Sequence, residues 1–178
     1  MSKLEMIRRL YECHEWADDR LLDAAARVAE QELARDANIP FGNARDNLLH
    51  ILGSQVSWVM RWTGASPQLA KIEPGIVASA LSDSFGWAHE RLRSYIGALT
   101  EDQVEAPIRF IEFDGGKPHE LERPMWEMLL SVGSHGMGRR GEVAAVLTAA
   151  GPAPARSTTR SSPGGAACAE GNRSQRKA

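Results

Sequence analysis

Cysteine is almost absent: Cys13 and Cys168 are the only two in 178 residues. One falls in a stretch of helical period and the other in a polar tail. A disulfide framework is therefore not expected, a thiolate metal cage is excluded, and a reducing cytoplasm is the simplest compartment. Charge of one sign is also lacking, since the formal net charge is -2 and the sequence pI is near 6.2. That balance gives no electrostatic reason to expect nucleic acid or an anionic membrane as partner. No apolar run approaches membrane-spanning length, and the opening MSKLEMIRRLYECHEWADDR is charged throughout, without the apolar core of a secretory leader. Internal repeats at a solenoid period are missing as well. What is present, 43% hydrophobic and 25% charged residues, suits one globular domain with a real core.

Helical period dominates the chain. From Lys3 to about Glu30, Leu4, Ile7, Leu10, His14, Ala17, Leu21 and Val28 recur at steps of three, four and seven, the pattern of an amphipathic helix. His14 lies on its buried side, either as a core histidine bonded to a neighbour or as a ligand. After a loop through Asn38-Ile39-Pro40-Phe41-Gly42, Asn43 is placed to cap a second helix with Asp46 in its first turn, ending near Trp62. Leu48, Leu49, Ile51, Leu52, Val56, Val59 and Met60 cover more than half its circumference. His50 sits on the remaining arc with Asp46, Gly53, Ser54, Ser57 and Arg61, a strip that is either solvent face or the lining of a wet cleft. Trp58 and Trp62 suit core packing or a dimer interface.

Thr63-Gly64-Ala65-Ser66-Pro67 breaks that helix, and a third begins after Pro74-Gly75 with Leu81, Phe85, Ala88, Leu92, Tyr95 and Leu99 on its core side. His89 falls beside this stripe among charges and is expected to be partly exposed. Thr100 to Gln103 reads as a capped turn. Ile108 to Phe113, Asp114-Gly115-Gly116 and His119 to Leu121 then predict a small hairpin. Pro124 opens a fourth helix that ends near Gly151, where Pro152 and Pro154 prevent continuation.

The middle of that fourth helix, SVGSHGMGRRGEV from Ser131 to Val143, contradicts its own propensity. Gly133, Gly136, Gly138 and Gly141 each cost about 1 kcal/mol relative to alanine, so a close backbone approach or room for a ligand is expected there. At 100° per residue, His135, Arg139 and Glu142 share one arc with Met128, Val132, Val143 and Val146. Four amphipathic helices and one hairpin imply an all-α four-helix bundle, an architecture that builds metal sites from facing helices. His50 and His135 supply two ligands, and a third is wanted. The position one turn after His135 is Arg139, whose guanidinium offers no lone pair.

Three blocks, YECHEWADDRLLDAA, ARDNLLHILGSQVSWVMRW and RPMWEMLLSVGSHGMGRRGEVAAVLTAAG, in this order and spacing, resemble the DinB family of metalloenzymes over residues 3 to 151. The resemblance implies a DinB/YfiT-like bundle in which a histidine of the second helix and an H-x-x-x-H pair of the fourth hold nickel or zinc. His50 and His135 match those positions, and Arg139 stands where the third histidine belongs. A metal here would need Glu142 or His14 as its third ligand. Related members act as thiol-dependent transferases or isomerases with bacillithiol, mycothiol or glutathione, so the expected function is a metal-dependent enzyme of thiol-transfer or hydrolytic type, linked to stress response. Its partners would be a low-molecular-weight thiol and a small electrophile, with a homodimer also expected. The alternative is a bundle that has lost catalysis and keeps a structural, interaction or small-molecule-binding role. Within the cleft, Arg139 either orients an anionic substrate or pairs with Glu142 or Asp46.

The domain is expected to span 1-151, with residues 152-178 a disordered basic tail carrying Arg156, Arg160, Arg173, Arg176 and Lys177. Arg156-Ser157-Thr158-Thr159 has codons that, read one base later, give Glu-Ile-Asp-Tyr. That is closer to the continuation seen in the family, so a frame-shifted terminus is a second expectation for the tail.

Overall fold

A computed structural model describes residues 1–64 and 78–151. Helix α1 spans Lys3–Ala25 and starts at a capping box, in which the Ser2 hydroxyl accepts from the Glu5 amide and the Glu5 carboxylate accepts from the Ser2 amide. The helical period that runs on toward Glu30 is not followed. The chain turns after Ala25, and the short α2, Glu30–Leu33, brings Leu33 into the core at 1% exposure. Helix α3, Ala44–Thr63, is capped by the Asn43 side chain and stops at Gly64, whose φ of 70° closes its C-terminus. Helix α4 covers Ala78–Ala98 and the single turn α5 covers Glu101–Glu105, the latter held by a Thr100/Gln103 capping box.

Strands β1, Pro107–Asp114, and β2, Lys117–Pro124, pair antiparallel, joined through Gly115 and Gly116 at φ 55° and 80°. Positive φ at both central residues is the two-residue hairpin turn that matches strand twist, and it is why glycine is needed there. Helix α6, Met125–Ala150, follows from Pro124. The fold class is as the sequence predicts: a helical bundle with one hairpin before its last helix.

The four long helices pack in a ring, α1 and α3 each lying against both α4 and α6. Ile7, Leu48, Ile51, Leu52, Leu81, Phe85, Leu129 and Val143 fill the space between them and are 2% exposed or less. Trp58 and Trp62 are half-buried packing residues: Trp62 stacks on Tyr95 at 5.6 Å, and Trp58 meets the hairpin through Phe110 at 5.8 Å.

Two expectations are corrected. His89 is not partly exposed but buried at 5%, because the polar partner that draws it inward sits on another helix. The buried face of α6 is not centred on the arc of His135, Arg139 and Glu142. It runs through Met125, Leu129, Gly133, Gly136, Arg140 and Leu147, roughly a quarter-turn away at 100° per residue. The tail from 152 to 178, with its basic character, Cys168 and proposed frame shift, lies outside the described residues, as do Pro67, Pro74 and Gly75.

Candidate functional site

Helices α3 and α6 bring His50 and His135 together, Nε2 to Nε2 at 2.8 Å. One ring nitrogen must present its lone pair to the other's N–H, so the contact holds no more than one shared proton. Burial, reinforced by the Arg139 guanidinium, moves both imidazoles below their ordinary pKa, with the neighbouring His135 also lowering His50 and Glu142 partly opposing the shift at His135. Phe41 covers the pair, stacking on His50 at 4.0 Å. Its φ of 64° is a left-handed value unusual outside glycine. The loop is pinned from below by the buried Asn47, whose amide donates to the Pro40 and Asn43 carbonyls.

Arg139 lies over the other part of this group, its guanidinium 4.9 Å from the Phe41 ring, and donates to both Glu142 oxygens at 3.2 and 3.0 Å. Asp46 is held elsewhere, by the Asn43 amide at 2.8 Å and Arg45 at 3.4 Å. The position one turn after His135 thus carries a cation, and the Glu142 carboxylate is bound to it. Among the described residues no group of three or more His, Cys, Asp or Glu side chains is arranged to hold a metal ion. Neither Glu142 nor His14 completes a triad with His50 and His135, so the side chains present do not fit a three-ligand divalent centre.

A second constellation lies inside the bundle, where sequence periodicity gave only core. Asp18 on α1 is fully buried and accepts from Gln55 Nε2 of α3 at 2.7 Å, His89 Nε2 of α4 at 3.0 Å and Arg140 of α6, Nε at 2.6 and Nη2 at 3.2 Å. One carboxylate therefore ties together all four long helices. Burial alone would raise its pKa, but the bonds from His89, Arg140 and Gln55 outweigh that and hold it below the usual range. His14 lies beside them, stacked on Tyr11 at 5.5 Å. Burial first, and the Arg140 charge second, lower its pKa to about 4, so it is neutral at pH 7.

These groups explain two of the glycines in α6. A β-carbon at Gly136 would stand 3.0 Å from Arg140 Nη1, and one at Gly133 would stand 2.9 Å from His14 Cε1. The close approach expected there is real, but side chains make it, not backbone. Gly138 and Gly141 face open space, and nothing in the structure explains them.

Beside the network is a cavity of about 220 Å³ between α1, α3, α4 and α6. Tyr11, Ile51, Leu92, Ile96 and Val132 form apolar wall, while His14, Gln55, His89 and Arg140 form polar wall; Ser54 and His135 also reach it. The strip of α3 beside His50 thus lines a cleft through Ser54. Four residues that line it carry a buried side-chain atom with no hydrogen-bond partner: Arg8 Nε, His14 Nε2, Gln55 Oε1 and Arg140 Nη1. Each such group costs about 1–3 kcal/mol if nothing satisfies it.

Sequence reasoning missed Asp18, Gln55 and Arg140. The usable signal was a helical one: Asp18 follows His14 by one turn on α1. Comparison with known proteins gives a match of the DinB family model to residues 1–171. No curated protein and no solved structure gives a significant match.

Proposed function

Because the chain belongs to the DinB family, we propose that it is a small-molecule-binding bundle whose ligand occupies the cavity between α1, α3, α4 and α6. The observation that carries this reading is a space of about 220 Å³ lined by four residues, Arg8, His14, Gln55 and Arg140, each with a partnerless buried polar atom. Buried polar atoms are nearly always satisfied, by protein, water or ligand, and apolar walls with a few convergent polar groups are the usual form of a ligand site. His135 reaches the same space. Its lowered pKa leaves a ring nitrogen free near neutral pH to accept a hydrogen bond or proton from what is bound. The role of Arg139, in this reading, is to hold Glu142 and close the histidine pair under Phe41.

The test is small-molecule mass spectrometry on protein purified without denaturation, with wild type compared against Ile96→Trp, which fills the cavity. A near-stoichiometric compound in the wild type that is missing from the variant supports the reading. No bound compound, together with no thermal shift from a metabolite library, overturns it.

A second reading keeps a nickel or zinc ion at His50 and His135, with a low-molecular-weight thiol and a small electrophile as partners, a stress-linked cytoplasmic role and a homodimer. What favours it is the 2.8 Å approach of two imidazoles with lowered pKa, since metal ligands must be deprotonated. It requires a further ligand from outside the described side chains. Metal analysis of protein carrying no histidine tag separates the two: stoichiometric metal lost on His50→Ala favours the second, and metal-free protein after metal-replete growth removes it. In either case no helix among the described residues is long and apolar enough to cross a membrane.

A further inference from the structure

The cavity crosses the bundle from one seam to the opposite one. Helices α1 and α3 each pack against both α4 and α6, so the α1/α4 seam and the α3/α6 seam lie on opposite sides of the ring. Most residues that line the cavity are buried or half-buried. The exposed ones are Glu12 of α1, Arg93 and Gly97 of α4, and His135 of α6. The space therefore meets the surface in two places, along the α1/α4 seam and at His135.

The two ends are closed differently. At the α3/α6 seam the rings of His50 and His135 touch, Nε2 to Nε2 at 2.8 Å, and Phe41 stacks on His50 at 4.0 Å. Side chains from both flanking helices thus shut that seam where the cavity reaches it. The α1/α4 seam is spanned instead by two polar contacts. Arg8 Nη2 donates to the Gly97 and Leu99 carbonyls at 3.0 and 3.2 Å, and Arg93 Nη1 pairs with Glu15 Oε1 at 3.2 Å. Arg8 and Glu15 both line the cavity and stand about 10 Å apart along α1, at a rise of about 1.5 Å per residue. Gly97, which lines the same side, presents no side chain, and a β-carbon there would meet nothing within 4 Å.

We infer that the interval between these two contacts is the entrance by which a ligand reaches the cavity, and that the Glu15–Arg93 ion pair is its latch. This rests on the cavity being the ligand site. The Arg8 contact is the fixed edge, because it makes two bonds to carbonyls at the negative end of the α4 dipole. The other edge is loose. Arg93 is 64% exposed and Glu15 30%, and an ion pair so placed is weak and screened by salt. Rotation of the Arg93 side chain opens it, a motion that is fast for an exposed residue and displaces no helix. A compound admitted there enters the space that ends at His135, while the histidine pair stays closed behind it.

The test follows fluorobenzene entering and leaving the full chain by fluorine NMR. The cavity of about 220 Å³ has room for a benzene-sized compound, and an uncharged probe keeps its own electrostatics out of the result. Arg93→Ala should raise both rates by about two- to fivefold, the range an exposed ion pair accounts for, and leave the affinity near that of the wild type. Arg93→Lys should keep wild-type rates, and exchanging the charges, Glu15→Arg with Arg93→Glu, should restore them. High salt should speed exchange in the wild type and not in Arg93→Ala. Gly97→Leu, which puts a side chain into the open interval, should slow it. Binding whose rates ignore all these changes, or respond to Phe41→Ala instead, overturns the entrance and leaves the cavity standing as a ligand site. No uptake of fluorobenzene by folded protein overturns both.

Discussion

Asp18 and Arg140, 122 residues apart in the chain, meet in a two-point ion pair at 2.6 and 3.2 Å, with side chains 0% and 7% exposed. The pair joins α1 to α6, and through the remaining lone pairs of the carboxylate it reaches α3 and α4. Burying a charge pair is not a net gain by default, because desolvation opposes the attraction. Its value here is positional. It fixes the rotation of α6, and hence which face meets the core.

Removing one partner leaves the other charged and buried. Asp18→Asn or Arg140→Met should each lower unfolding free energy by about 3–5 kcal/mol, measured by urea titration. Asp18→Leu combined with Arg140→Met should lose much less than the sum of the single changes. Additive losses would show that the two residues act independently.

The glycines of α6 should divide into two classes. Gly138→Ala and Gly141→Ala, which face open space, should each stabilise by up to about 1 kcal/mol through helix propensity. Gly133→Ala places a β-carbon 2.9 Å from His14 Cε1 and 3.1 Å from Leu10 Cδ2, and overpacking of about 1–3 kcal/mol should exceed the propensity gain. Thermal melts would rank the three, at roughly 2–4 °C per kcal/mol for a chain of this size. A stabilised Gly133→Ala would contradict the close packing.

Acid should destabilise the fold well above the carboxylate range. His14 titrates at about 4 when folded and near 6.5 when unfolded, so between those values the unfolded chain binds the extra proton and stability falls as pH falls. The loss approaches about 3 kcal/mol by pH 4, and the lowered Asp18 pKa adds to it further down. Melts from pH 7.5 to 4.5 should show this slope, and His14→Asn should flatten its upper part. An unchanged slope in the variant would assign the effect to other groups.

Arg139→His removes the cation that holds Glu142 and sets an imidazole one turn from His135. Zinc should then raise the melting temperature of the variant by several degrees through preferential binding to the folded state, and by much less in the wild type. His50→Ala in the same background should cancel the gain. An equal shift in wild type and variant would mean that position 139 does not govern metal binding.

The architecture was legible because its signals are local. Apolar residues at helical spacing, Asn43 and Thr100 at caps, Gly115-Gly116 in a two-residue turn and Pro124 before the last helix act within a few residues of themselves. His50 and His135 do meet, though helical position alone left the His50 strip open between solvent face and cleft, and it was the family resemblance that paired them. The end of α1 was not legible, since the period continues past Ala25 and the turn serves the distant packing of Leu33.

The interior site was hidden for a different reason. The buried arc of α6 includes Gly133, Gly136 and Arg140, residues that a count of apolar side chains does not register, so Met128, Val132 and Val146 pulled the predicted phase away from them. The sequence by itself determined the helices, their order, the hairpin and a guanidinium, not a metal ligand, one turn after His135, because each is written in one residue or one period. Only the tertiary structure decided that Asp18, Gln55, His89 and Arg140 form one unit. A buried charge is tolerable only beside partners, and those partners come from four helices whose rotations no single helix specifies.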